Sequence, residues 1–146
     1  MKKTIIGTLV ILAICAVLWA AGDETVSITR WVERRNQEPL IKPVWEYVLT
    51  AVYDDDDVTD VTQAIAINGI LQKVILVAPD GLNAVTYQVE VADNGDIVIF
   101  DSGEQNENNT YTFNCTEPLT GIIDVVIGVS GAIGDAQDIV VVLRGI

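Results

Sequence analysis

The sequence contains no histidine. That removes the commonest general base, the Ser–His and Cys–His nucleophile pairs, and the commonest transition-metal ligand. Serine is almost as scarce: Ser27, Ser102 and Ser130 are the whole supply, and none sits in a Gly-x-Ser-x-Gly elbow. There is no Walker loop, no Gly-x-Gly-x-x-Gly and no Cys-x-x-Cys. Gly128 to Gly134 reads GVSGAIG, but it has no lysine and opens a strand, so it reads as a turn. Two cysteines are too few for a disulfide framework. Cys15 lies in an apolar run and Cys115 in a strand-like TYTFNCT segment, and the two are expected to stay unbridged. Asn108-Asn109-Thr110 and Asn114-Cys115-Thr116 match the glycosylation pattern, which matters only in a secreted eukaryotic protein.

Positive charge is the next shortage. Eight Lys/Arg face 21 Asp/Glu, a formal net charge of −13 over 146 residues. The imbalance is uneven. Residues 1–45 carry six Lys/Arg and four Asp/Glu, net +2, whereas residues 46–146 carry Lys73 and Arg144 against seventeen acids, net −15. Nucleic-acid binding is dominated by neutralising phosphates, so the main domain excludes it. A surface of this charge keeps a domain soluble and resists non-specific contact.

Carboxylates are the one catalytic resource left, as in glycoside hydrolysis. Such a site needs an acid in an apolar pocket with aromatics beside it. The aromatics gather at Trp31, Trp45, Tyr47 and Tyr53, away from most later acids, and the chain reads as a non-enzyme. Calcium takes oxygen ligands and needs no histidine. Asp54, Asp55, Asp56, Asp57 and Asp60 form one candidate cluster; Asp93, Asn94 and Asp96 form another. Neither has EF-hand spacing, and both read as solvated loops. No cofactor is expected, and calcium is the one metal these residues permit.

What the chain has in quantity is strand pattern. Trp45, Tyr47, Leu49, Ala51 and Tyr53 alternate with Val44, Val48 and Val52, so both faces of that segment are partly apolar and it reads as covered on each side. Ile65 and Ile67 alternate up to Asn68-Gly69, a strong hairpin signal, and an apolar run to Ala78 follows. Pro79-Asp80-Gly81 breaks the run. Val85, Tyr87, Val89 and Val91 alternate again, and Asn94-Gly95 turns the chain into Asp96–Asp101. Tyr111, Phe113 and Cys115 alternate, Pro118–Gly121 interrupts, residues 122–130 resume, and Ile139–Leu143 reads as a final strand within the sheet. Eight extended segments within residues 44–146 predict an all-β, antiparallel β-sandwich or jelly roll.

Ahead of it lie two further parts. Residues 1–22 hold Lys2 and Lys3, then seventeen uncharged residues from Ile5 to Ala21. This is either a cleaved signal peptide or a retained helix, whose roughly 26 Å length is the short end of what crosses a bilayer. Residues 23–43 read as an arm: a linker or short amphipathic helix ended by Pro39. Trp19, Arg30, Trp31, Arg34 and Arg35 are the candidate partner-binding residues, since a basic arm suits an acidic neighbour. Burial of the apolar run is expected to dominate attachment, with the arginines tuning register.

The cadence VTQAIAINGILQKV from Val61 to Val74 resembles small structural proteins of tailed bacteriophages. So do Phe100-Asp-Ser-Gly103, Pro118-Leu-Thr-Gly121 and the terminal VVVLRGI. The likeness covers residues 44–146 and rests on strand rhythm, without a catalytic motif. It implies a virion decoration, cement or spike component with no cofactor. It further implies self-association, often as trimers, and docking on a major capsid or other assembly protein. The apolar N-terminal run departs from the usual soluble decoration protein. The rival reading is a membrane-anchored or filament-forming cell-surface sandwich of bacteria or archaea, although no pilin-type processing site is present.

Overall fold

Two strands are far longer than the turn signals foretell. The structure, a computed structural model, describes residues 25–34, 44–56 and 58–146, with the backbone alone at 30–34. It is all-β: β1 Thr25–Arg34, β2 Val44–Tyr53, β3 Val61–Ala78, β4 Thr86–Ala92, β5 Val98–Asp101, β6 Gln105–Asn106, β7 Asn109–Val129 and β8 Gln137–Gly145. All pairings are antiparallel, in the order β1-β2-β8-β3-β7-β4-β5, with β6 beside β4.

β3 and β7 build two layers from this single sheet. Residues 73–77 of β3 pair with β8 on one side and β7 on the other, so this half belongs with β1 and β2. Residues 61–71 pair with the second half of β7, which also carries β4. The two halves face each other across one core. Strands that pass from layer to layer through a bulge are the usual corner of such packings. Here the corner is Gln72, which the register skips between Leu71 and Lys73. Val61, Ile65, Ile67 and Leu71 point inward at odd positions before it; Val74, Leu76 and Ala78 point inward at even positions after it. The extra residue shifts the phase, so both halves keep their apolar side chains inside.

The Asn68-Gly69 hairpin is therefore corrected. Asn68 pairs with Thr120 and Gly69 with Leu119, and the ladder runs straight through. Gly69 serves close approach: an added Cβ would collide with the Ile146 carbonyl and lie 2.9 Å from Trp45 Nε1. Pro118–Gly121 likewise does not interrupt β7. The linker-or-helix reading of residues 25–34 is corrected as well, because β1 pairs with β2 along its length, from Thr25↔Val52 to Arg34↔Val44. Among the described residues there are eight strands, seven of them within residues 44–146 where eight were expected: two expected pairs have merged, β6 is an addition there, and β1 is an addition ahead of them. The helix expected in residues 1–22 lies outside the described residues, as does the arm over residues 35–43.

Other readings hold. Trp45, Leu49, Ala51 and Tyr53 are buried, as are Val85, Tyr87, Val89 and Val91. Tyr53 reaches from β2 across the core to donate to the Ile127 carbonyl at 2.7 Å, bolting one layer to the other. Phe100 on β5 meets Phe113 edge-on, with ring centroids 5.5 Å apart. β8 lies between β2 and β3, so the predicted final strand is central. Asn94-Gly95 does turn the chain: Asp93 Oδ1 accepts from Gly95 N and Ile97 N, and the positive φ falls on Asp96.

Candidate docking surface

Two of the three serines are engaged in backbone bonds, and the third, Ser27, is exposed on β1. Ser102 Oγ accepts from Val89 N at 2.8 Å and donates to the Gly103 carbonyl, standing in for a missing ladder bond. Ser130 Oγ accepts from Thr86 N at 2.8 Å. The free thiol of Cys115 is half-buried, and desolvation followed by the charge of Glu117 raises its pKa, away from the reactive thiolate.

Among the described residues, no group of three or more Cys, Asp or Glu side chains is placed to hold a metal ion. Asp54, Asp55, Asp56 and Asp60 are exposed, and Asp57 lies outside the described residues. Asp93 is engaged in its own turn. A shallow cleft of about 110 Å³ opens on the outer side of β4 and β7, lined by Asp60, Thr86, Gln88, Glu90, Glu104 and Ser130. Gln88 Nε2 donates to Glu90 Oε1 and Asp101 Oδ1, each at 2.9 Å, while the Thr86 hydroxyl in the same lining is buried without a hydrogen-bond partner among the described residues.

The opposite outer face is different. Alternation sends Val44, Val48 and Val52 of β2 outward, with Val140 and Val142 of β8 and Ile75 and Val77 of β3. Register aligns them in rows: Val48, Val142 and Ile75 form one, and Thr50, Val140 and Val77 the next. Val44, Val52 and Val77 are 47%, 41% and 36% exposed. A charged row of Glu46, Arg144 and Lys73 crosses the face between Val44 and Val48, where Arg144 Nε donates to Glu46 Oε2 at 2.6 Å. Both faces of β2 are apolar, as the sequence indicates, but among the described residues only the inner one is covered.

Beside this face runs an open edge. Among the described residues β1 pairs with β2 and with no other strand, so its outer edge is open there. Arg30, Trp31 and Arg34 fall opposite Val48, Tyr47 and Val44. Their side chains lie outside the described part, as do Trp19 and Arg35 entirely. The structure thus brings three of the five candidate partner residues onto one edge strand. The apolar face went unread as a surface, although its signal was visible: Val74–Val77 and Ile139–Leu143 are apolar on both faces.

No known protein family and no curated protein matches the chain. Among solved structures it is similar to TmCBM61 in complex with β-1,4-galactotriose, at 12% identity and a TM-score of 0.39, over 82% of this chain and 83% of that one. It is also similar to the enzymatically active domain of bacteriophage CBA120 tailspike protein 4, at 12% identity and a TM-score of 0.33, over 86% of this chain but 19% of that one. A third likeness is to infectious bursal disease virus, Gx strain, at 12% identity and a TM-score of 0.32, over 81% and 38%. At such scores these likenesses assign the chain to no family and carry no argument about its activity.

Proposed function

We propose that this protein is a non-enzymatic structural component of a virion, of the decoration, cement or spike kind, that self-associates and docks through its N-terminal arm. One observation carries the reading: three of the four strings resembling tailed-phage structural proteins are spent on architecture, and the fourth, the terminal VVVLRGI, lends Val140 and Val142 to the outward face. Val61–Val74 contains the corner at Gln72. Phe100–Gly103 supplies an aromatic contact, the Ser102 ladder substitute and a positive φ at Gly103. Pro118–Gly121 places buried Leu119 beside Gly121, which has φ 84°. Strings that serve shape, with Ser102 and Ser130 engaged in backbone bonds, suit a protein whose product is a surface.

The open edge of β1 and the apolar face beside it support docking there, and the arginines of β1 and of residue 35 suit an acidic neighbour. Immunogold labelling with an antibody to residues 44–146 tests the reading on purified virus particles and on uninfected cells. Regular labelling of particles is expected. Label confined to cell envelopes or filaments would reject the virion role in favour of a cell-surface one.

A further inference from the structure

We propose that Asn94, in the turn between β4 and β5, is a site of spontaneous conversion to isoaspartate, and that Asp93 governs its rate. The reaction needs only this chain and water, whatever role the protein serves.

The sequence holds Asn-Gly twice, at Asn68-Gly69 and at Asn94-Gly95. The pair is chemically reactive because glycine has no Cβ to screen its own nitrogen. Gly95 N, after losing its proton to solvent hydroxide, attacks Asn94 Cγ. The new C–N bond closes a succinimide ring, and the Cγ–Nδ2 bond breaks to release ammonia, which takes its extra proton from water. Water then opens the ring. Opening at Cγ gives aspartate; opening at the former backbone carbonyl routes the chain through the side chain and leaves isoaspartate. Either product adds a negative charge, and isoaspartate also lengthens the turn by a methylene.

Ring closure requires backbone and side chain to rotate together, and the structure treats the two dipeptides differently. Asn68 and Gly69 lie inside the β3–β7 ladder, opposite Thr120 and Leu119. Asn68 Oδ1 accepts from Gly121 N at 3.2 Å, and a Cβ at Gly69 would collide with the Ile146 carbonyl. Glycine there serves packing. Asn94 and Gly95 belong to no strand and are both exposed. A Cβ at Gly95 would meet Asp93 Oδ1 at 3.4 Å, an ordinary contact, and the positive φ of the turn falls on Asp96. Neither packing nor backbone conformation calls for glycine at this position.

One restraint acts on the attacking atom. Gly95 N donates to Asp93 Oδ1 at 2.8 Å, and the same oxygen accepts from Ile97 N at 3.1 Å. While these bonds hold, the Gly95 N–H is engaged and the turn keeps its shape. Reaction proceeds from molecules in which they have opened. Surface turns open at little cost in free energy, whereas ladders between core strands open at a cost approaching that of global unfolding.

Ageing the full-length chain at mildly alkaline pH tests this. Conversion at each asparagine is followed by peptide mass spectrometry, with isoaspartyl methyl transfer to count the rearranged product. In the folded protein Asn94 should convert more than about tenfold faster than Asn68, which must wait for its ladder to open. In urea the two rates should converge. Gly95→Ala, which the turn accommodates, should slow conversion at Asn94 several-fold, and Asp93→Ala should hasten it several-fold. Equal rates at Asn94 and Asn68 in the folded protein would overturn the proposal, as would a rate untouched by Gly95→Ala. Rates that stay apart in urea would trace the difference to neighbouring residues instead of the fold, and overturn it too. An Asp93→Ala chain that converts no faster would overturn the role given to Asp93.

Discussion

Tyr53 and Tyr87 are both fully buried, yet their hydroxyls have different fates. Tyr53 donates across the core to Ile127, whereas Tyr87 Oη has no hydrogen-bond partner among the described residues. Removing one member of a buried pair strands the other at a cost of about 1–3 kcal/mol, whereas deleting an unpaired group is close to neutral. Tyr53→Phe should therefore lower the free energy of unfolding by about 1–2 kcal/mol in urea titrations, and Tyr87→Phe should leave it level or raise it. The two also part company with pH. Burial, then the charges of Glu107, Asp135 and Asp80, pushes the Tyr87 phenol up to about 12. Between pH 10 and about 12 the folded state holds a proton that the unfolded chain releases. The contribution is intact below pH 10 and lost as pH rises through that window. Unfolding measured from pH 9 to 11.5 should show a stability decline that is shallower in Tyr87→Phe.

At the scale of elements the decisive feature is one residue of phase. Gln72 is exposed and its side chain buries nothing, so Gln72→Ala should change stability by no more than about 0.5 kcal/mol. Deleting Gln72 is another matter. It would turn Val74, Leu76 and Ala78 to the outside and Lys73, Ile75 and Val77 to the core, because side chains alternate with period 2. The deletion variant should lose the cooperative transition in circular dichroism that the alanine variant keeps. This also explains how much was legible beforehand. The alternations ending at Tyr53 and Val91 are local, and they gave the buried face of β2 and β4 correctly. Asn68-Gly69 and Pro118–Gly121 use the vocabulary of turns, but they face one another in the β3–β7 ladder, where Gly69 leaves room for Trp45 and Ile146, residues remote in sequence. β1 was missed because Arg30 and Arg34 dominate its local appearance, and its strand character depends on a partner, β2, beyond Pro43. The docking face could not be identified before topology put β8 between β2 and β3.

The whole molecule is ruled by charge. Domains of net −15 repel one another, and a few arginine contacts at up to about 1 kcal/mol each do not outweigh that in dilute salt. Added salt screens the repulsion while leaving apolar and backbone contacts intact. Self-association followed by sedimentation velocity should tighten on going from about 0.02 M to about 0.5 M sodium chloride. It should tighten again as pH falls toward the sequence isoelectric point near 4.1. Association that instead dissolves in salt would mean that ion pairs between arm and domain hold the copies together.

The place of β8 has a consequence for how the chain reaches this state. β2 and β3 follow one another in sequence but never pair; β8 separates them, joining Trp45 to Gly145 and Leu71 to Gly145. A hairpin between β2 and β3 would form sooner, since the loop to close is far shorter, and it would be a wrong turning. The folding chain must hold a strand-wide slot open until a segment about ninety residues downstream of Tyr53 threads into it. Such a route is slow, and while the slot stands empty its two bare edges invite any passing strand. Once filled, the same slot works as a lock: β8 cannot leave without breaking ladders on both sides together. The molecule trades ease of assembly for reluctance to come apart.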